Sequence, residues 1–94
     1  AAQKVARKMA DVARYKQVLC VTHLPQIAAM ADSHFCVANG ASEGRTFTAV
    51  ERLSRERRAE ELARLTSGDL MTKVALQGAE EMLAQAEEYR NAQH

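Results

Sequence analysis

QVLCVTHLPQIAAMADSHFCV, residues 17–37, is the stretch on which the rest of the chain is read. It opens with an apolar run at 18–21, β-branched at both ends, which stops at Thr22-His23-Leu24-Pro25. A continuous apolar run of this kind suits a strand covered on both faces, as in a parallel sheet. Pro25 suits the first position of a helix, where its missing N–H costs nothing. Ile27, Met30 and Ala31 give that helix one apolar side. Residues 33–38 then alternate, with Phe35 and Val37 on one face and His34, Cys36 and Ala38 on the other. Strand, short helix, strand predicts a right-handed crossover between two parallel strands.

Upstream, Ala2, Val5, Ala6, Met9, Val12 and Ala13 recur at helical spacing opposite Lys4, Arg7, Lys8, Asp11 and Arg14, so 1–15 reads as a helix. Downstream, 39–44 contains Asn-Gly and Glu-Gly, both turn signals. Residues 46–53 alternate and are rich in Thr, Val and Phe, which predicts a third strand pairing antiparallel with the second. Ser54 is a good N-cap for a helix to about Thr66, with Ala59, Leu62, Ala63 and Leu65 on its buried side. Within it, Arg57 with Glu61 and Glu60 with Arg64 are spaced for ion pairing. Gly68 reads as the stop, and Asp69 as the cap of a last helix carrying Met71, Val74, Ala75, Ala79, Met82, Leu83 and Ala86 along one stripe. The final residues are expected to fray.

Ninety-four residues suffice for one small domain with a modest core. Thirteen Lys and Arg against 12 Asp and Glu leave a net charge of +1, which argues for neither nucleic acid nor membrane. The 47% hydrophobic content fits a globular chain, and no apolar run approaches a membrane span. Cys20 and Cys36 both lie in apolar runs, which predicts buried, reduced cysteines and a cytosolic setting. Position 1 is not Met and the helical pattern begins there, as expected of a piece cut from a longer chain.

Each chemical motif has an ordinary reading beside it. His23 directly follows an apolar strand, and ligands of open α/β sheets bind beyond the strands' carboxyl ends. An imidazole there can donate to a phosphate oxygen or orient a water. Position alone nevertheless favours a structural or solvent-exposed histidine. Cys20 with His23 and His34 with Cys36 supply four candidate zinc ligands, but ligands within strands point to opposite faces, so no metal is expected. Arg52, Arg55, Arg57, Arg58 and Arg64 form a basic cluster, yet Glu51, Glu56, Glu60 and Glu61 interleave with it, as on a solvated helix face. The apolar stripe of the last helix is core before it is a docking face. No GxxxxGK[ST] phosphate loop is present, and no strand ends in an acidic pair that would hold magnesium.

The 17–37 block resembles the RecN family of bacterial DNA repair proteins, SMC-like members of the ABC ATPase superfamily. The resemblance extends through GRTFTAVERLSRERRAEELARLTSG, similar to the strand–helix tail of that family, and AAQKVARKMADVA, similar to the helix after its acidic strand and D-loop. Its most particular part is Val21-Thr22-His23-Leu24-Pro25-Gln26-Ile27-Ala28. Thr-His after a strand is common to many ABC ATPases, whereas the extension LPQIAAMAD is narrower. Arg64-Leu65-Thr66-Ser67-Gly68 departs from the Met-Leu-Gly-Gly-like run usual in the family.

The resemblance implies that 1–94 is the C-terminal part of an ABC-type ATPase head. Residues 1–53 would carry the strands and H-loop, and 54–94 the C-terminal helices. His23 matches the H-loop histidine, which implies a catalytic and cofactor-contacting residue at the ATP γ-phosphate and reverses the bland reading above. ATP and magnesium are the implied cofactors of the full-length protein, with none expected for this segment by itself, which is expected to be inactive. The implied partners are the rest of the same head, a second head in a homodimer, and DNA through the full-length protein, with no membrane; the implied setting is the bacterial cytoplasm and nucleoid. Two other readings stay open: the head of a different ABC ATPase, SMC or transporter, and a non-enzymatic module pairing through its last helix. The fold expected on all counts is α/β, with about three strands (a parallel pair plus a hairpin) and flanking helices.

Overall fold

The computed structural model describes residues 1–92. In chain order these form α1 (Ala2–Ala13), α2 (Pro25–Met30), β1 (Phe35–Ser42), β2 (Arg45–Arg52), α3 (Arg55–Ser67) and α4 (Lys73–Ala92). The molecule is mixed α/β: four helices pack together, and the two strands form an antiparallel hairpin beside them. The expected fraying of the last residues falls partly on 93–94, outside the described residues; α4 is helical to Ala92.

The helical readings hold because capping and periodicity agree. Pro25 occupies the first turn of α2, and the Leu24 carbonyl accepts from the Ile27 and Ala28 N–H groups at 3.2 and 3.1 Å. At the start of α3 the Ser54 hydroxyl accepts from the Arg57 N–H at 3.2 Å. The same helix ends where the Gly68 N–H reaches the Arg64 carbonyl at 2.8 Å. The cap of α4 is Thr72, not Asp69: the Thr72 hydroxyl accepts from Ala75 N–H at 3.0 Å. Both residues have capping oxygens, and the helix starts at the one nearest its first core contact, Ala75. Within α3 the ion pairs are also reassigned, to Arg57 with Glu60 at 3.6 Å and Arg64 with Glu61, each three residues apart rather than four.

The parallel pair and its crossover do not form. Residues 18–21 are irregular, and Leu19 and Val21 are 92% and 98% exposed. A strand exists only where a neighbour pairs its backbone, and the described residues offer this segment none. Cys20 is consequently exposed rather than buried, and Cys36 is half-buried; both are free thiols.

The hairpin does form, with a longer reach than the turn signals suggest. Asn39-Gly40 lies inside β1, and the reversal is made by Glu43-Gly44. Both have positive φ, 51° and 78°, as a two-residue type I′ loop requires. Gly40 pairs with Phe47, whose ring covers it so closely that a Cβ added at Gly40 would lie 2.6 Å from the ring. An aromatic ring laid across a glycine in this way shields backbone that has no side chain of its own. Phe35, Val37 and Val50 share the other face of the hairpin and remain largely exposed.

The core lies among the helices and is built mostly of alanine: Ala6, Ala28, Ala29, Ala59, Ala63, Ala79 and Ala86, with Met30, Leu62 and Leu83. Small side chains let helices approach closely, and α2 packs against α1, α3 and α4. Leu62 and Leu83 are the largest side chains removed entirely from solvent. Leu83→Ala is therefore expected to lower unfolding free energy by about 2–5 kcal/mol, read from urea denaturation, whereas Val74→Ala on the exposed side of α4 should change it by less than about 0.5 kcal/mol.

Candidate functional site

His23 is exposed and sits in the connection between the apolar segment and α2. The chain around it is not slack. The Thr22 hydroxyl accepts from the Leu24 N–H at 3.0 Å, spanning His23 with a small side-chain turn. Leu24 is extended (φ −93°, ψ 120°) and its carbonyl opens α2, whose first residue, Pro25, has a fixed φ. His23 is thus bracketed by a turn on one side and a helix start on the other.

The far end of α2 is held by two arginines. A helix leaves its last carbonyls without intrahelical partners. Arg58 Nη2, from α3, donates to the carbonyls of Ala28, Ala29 and Ala31 at 3.3, 3.4 and 2.8 Å. Arg90 Nη1, from α4, donates to those of Ala29 and Met30 at 3.4 and 3.1 Å. Asp32 lies 3.3 Å from Arg90 Nε and offsets part of the charge. Donation from a cation to a helix C-terminus is charge-assisted and favoured by the helix dipole. Arg58 is only 8% exposed, and burial, followed by the nearby Arg90 guanidinium, lowers its pKa from the ordinary arginine range.

His34 adjoins this cluster. Its carbonyl accepts the Leu53 N–H at 2.9 Å, and its ring is half-buried with Nδ1 enclosed and unpartnered. Burial first, then the Arg58 charge, push its pKa down; Glu61 acts the other way. The Arg64 guanidinium in turn holds the Glu61 carboxyl below its usual range.

Three other arginines of the basic cluster, Arg55, Arg57 and Arg64, pair with acids. Arg55 bridges α3 to α4 through Glu80 at 2.7 Å and Glu87 at 2.9 Å. With Arg57 on Glu60, Arg64 on Glu61, and Arg52 donating to the Ser33 hydroxyl at 3.2 Å, the basic cluster apart from the buried Arg58 is a solvated, partnered face. Among the described residues no group of three or more His, Cys, Asp or Glu side chains could hold a metal ion. The stripe on α4 is core: Ala79, Leu83 and Ala86 are buried and Met82 packs beside them, while Val74 and Met71 point outward. No helix of the described residues is long and apolar enough to cross a membrane.

Arg58, read from sequence as part of a solvated basic face, is instead buried on the α2 carbonyls; neither its role nor that of Arg90 follows from residue type, although spacing marks both. Arg58 stands four residues before Leu62, and Arg90 four after Ala86, each in register with the buried stripe of its own helix. A charge in that register has to find buried acceptors.

The class defined by fold and site is a mixed α/β segment that presents an exposed histidine ahead of a short helix fastened by two arginines. No protein-family model matches the chain. It is 42% identical over 89 residues to DNA repair protein RecN of Bacillus subtilis, a match covering 95% of this chain and 16% of that protein. Against DNA repair protein RecN of Deinococcus radiodurans it is 44% identical over 84 residues, 89% of this chain and 15% of the relative. The RecN of Treponema pallidum matches at 40% over 82 residues, 87% of this chain and 14% of its own length. The chain therefore corresponds to a C-terminal segment of RecN proteins, and it spans about a sixth of the length of these relatives.

The His34 environment has a consequence for stability. Well above the ordinary histidine pKa of about 6.5 the ring is neutral in both folded and unfolded chains and contributes no pH dependence. Below it the unfolded chain takes up the proton first, because the folded pKa is lowered, so stability falls as pH drops through this window. Glu61 adds a second loss only at lower pH, below the ordinary glutamate range, as its ion pair with Arg64 is protonated away. Urea titrations at pH 7.5 and 5.5 are expected to show lower stability at 5.5, and His34→Gln should shrink that difference.

Proposed function

We propose that this chain is the part of a RecN-type DNA repair ATPase that carries its H-loop histidine, His23. The parent protein would couple ATP binding and hydrolysis in an ABC-type, SMC-like head to the repair of DNA double-strand breaks in the bacterial cytoplasm. The observation that carries the reading is the exposed imidazole of His23, held between the Thr22 turn and the Pro25 helix start in a chain similar to RecN over most of its length. The exposed apolar segment 18–21 supports it as well. An unpaired run of Val, Leu and Val is the surface a neighbouring strand of a complete head would cover.

The residue of this chain that the reading places at a phosphate is His23. His23 can donate an imidazole N–H to a terminal phosphate oxygen and, on its other nitrogen, orient a water. The acids of the chain do not gather into a magnesium site among the described residues. In this reading the phosphate loop and magnesium ligands come from the rest of the head, and the segment by itself neither binds ATP tightly nor hydrolyses it. ATP, when bound, supplies the phosphoryl group, and magnesium offsets its charge. The part played by this chain is positional: the turn and helix around His23 keep its donor aimed without reorganisation at the moment of reaction.

Removing a donor aimed at charge that develops in the transition state typically costs about 2.7–4 kcal/mol, or roughly two to three orders of magnitude in rate. In the full-length protein, His23→Ala is expected to lower single-turnover ATP hydrolysis by that factor while leaving equilibrium nucleotide affinity within about threefold. Pro25→Ala should have a smaller effect. Hydrolysis by His23→Ala within about threefold of the unaltered protein would show that the histidine is structural.

A further inference from the structure

We propose that Arg58 and Arg90 are positioning residues for His23, acting through α2; this rests on the role proposed for that histidine. Two cations from two different helices converge on the last carbonyls of one short helix. Burial of Ala28, Ala29 and Met30 keeps water from these carbonyls, and the two guanidinium groups take its place. Here the donors fix both the position and the tilt of α2. Arg58 reaches three carbonyls from the α3 side, and Arg90 reaches two from the α4 side.

From the clamp the constraint runs to His23 without a loose joint. α2 has six residues, so its ends are about 9 Å apart. Its first turn is closed on the Leu24 carbonyl, and the Leu24 N–H is tied to the Thr22 hydroxyl across His23. Over that length a tilt of about 7° moves the histidine end by about 1 Å. A misplacement of about 1 Å at a reacting group can cost about a hundredfold in rate, even when its source lies far from the chemistry. Neither arginine is placed to touch the nucleotide in this scheme; they bind the opposite end of the helix.

The test is a double-variant cycle in the full-length protein, read by single-turnover ATP hydrolysis, equilibrium nucleotide binding and thermal melting. Arg58→Met fills similar space without the donors. It is expected to lower hydrolysis roughly tenfold to a hundredfold with nucleotide affinity within about twofold. Arg58→Lys, which keeps one charged donor, should recover part of the loss. The distinguishing readout is combination with His23→Ala. If the arginine acts through the histidine, the double variant hydrolyses ATP within about twofold of His23→Ala alone. Rates that fall by the product of the two single effects would mean that Arg58 acts elsewhere in the structure, and would overturn the proposal. So would normal hydrolysis by Arg58→Met in a protein that His23→Ala impairs. Normal hydrolysis by His23→Ala would instead remove the histidine reading, and the proposal with it. Should Arg58→Met fail to fold, Arg90→Gln carries the same cycle: non-additivity with His23→Ala supports the proposal and additivity refutes it.

Discussion

The packing of this segment depends on how the C-terminal end of α2 is satisfied. The helix is too short to be stable by itself, since nucleating a turn costs more than a few hydrogen bonds return. It persists because Ala28, Ala29 and Met30 are buried and because Arg58 and Arg90 take up the carbonyls that burial removes from water. The same two side chains fasten α3 and α4 to it. Without them the core would enclose a row of unpaired carbonyls, each costing about 1–3 kcal/mol. Two like charges tolerate this proximity because each faces several carbonyl oxygens, with Asp32 and Glu87 close by.

Around that centre the contacts grade from dry to wet. Alanines allow the helices to close on α2, and Leu62 and Leu83 fill the space between α3 and α4. Farther out, Arg55 joins Glu80 and Glu87 across the α3–α4 seam, and the Tyr89 hydroxyl donates to Asp11 at 2.9 Å with the Arg7 guanidinium 5.3 Å from the ring. Pairs this exposed contribute little each, typically below about 1 kcal/mol. They tie the long helices in register more than they stabilise them. The hairpin stands outside this gradient, held by its own ladder and by the Phe47 ring over Gly40.

The two histidines of the described chain that bear on function differ in their surroundings, and so in what they can do. His23 is open to solvent at a helix start, where an imidazole can meet a ligand. His34 is half-enclosed beside the Arg58 cation, which disfavours its charged form. In the proposed role the first would face a phosphate; the second takes a place in the wall of the clamp where burial disfavours its charged form. Similarity to RecN extends over nearly the whole chain, the segment around His23 being one part of it.

Local features were legible in the residues because local rules govern them. Ser54 as a cap, Pro25 at a helix start, Glu43-Gly44 in a hairpin and the stripes of α3 and α4 each follow from interactions within a few positions. The position of His23 between an apolar run and a helix was equally visible. What sequence alone misjudged was whatever needed a distant partner. The apolar run 18–21 carries the pattern of a buried strand, yet pairing requires a neighbour that these residues do not supply. Arg58 looks like a member of a solvated cluster, and Arg90 carries no signal of its own, until tertiary packing brings the end of α2 between them. A side chain's spacing determines which face it occupies; only the folded chain determines which carbonyls that face meets, because those acceptors lie some 30 and 60 residues away.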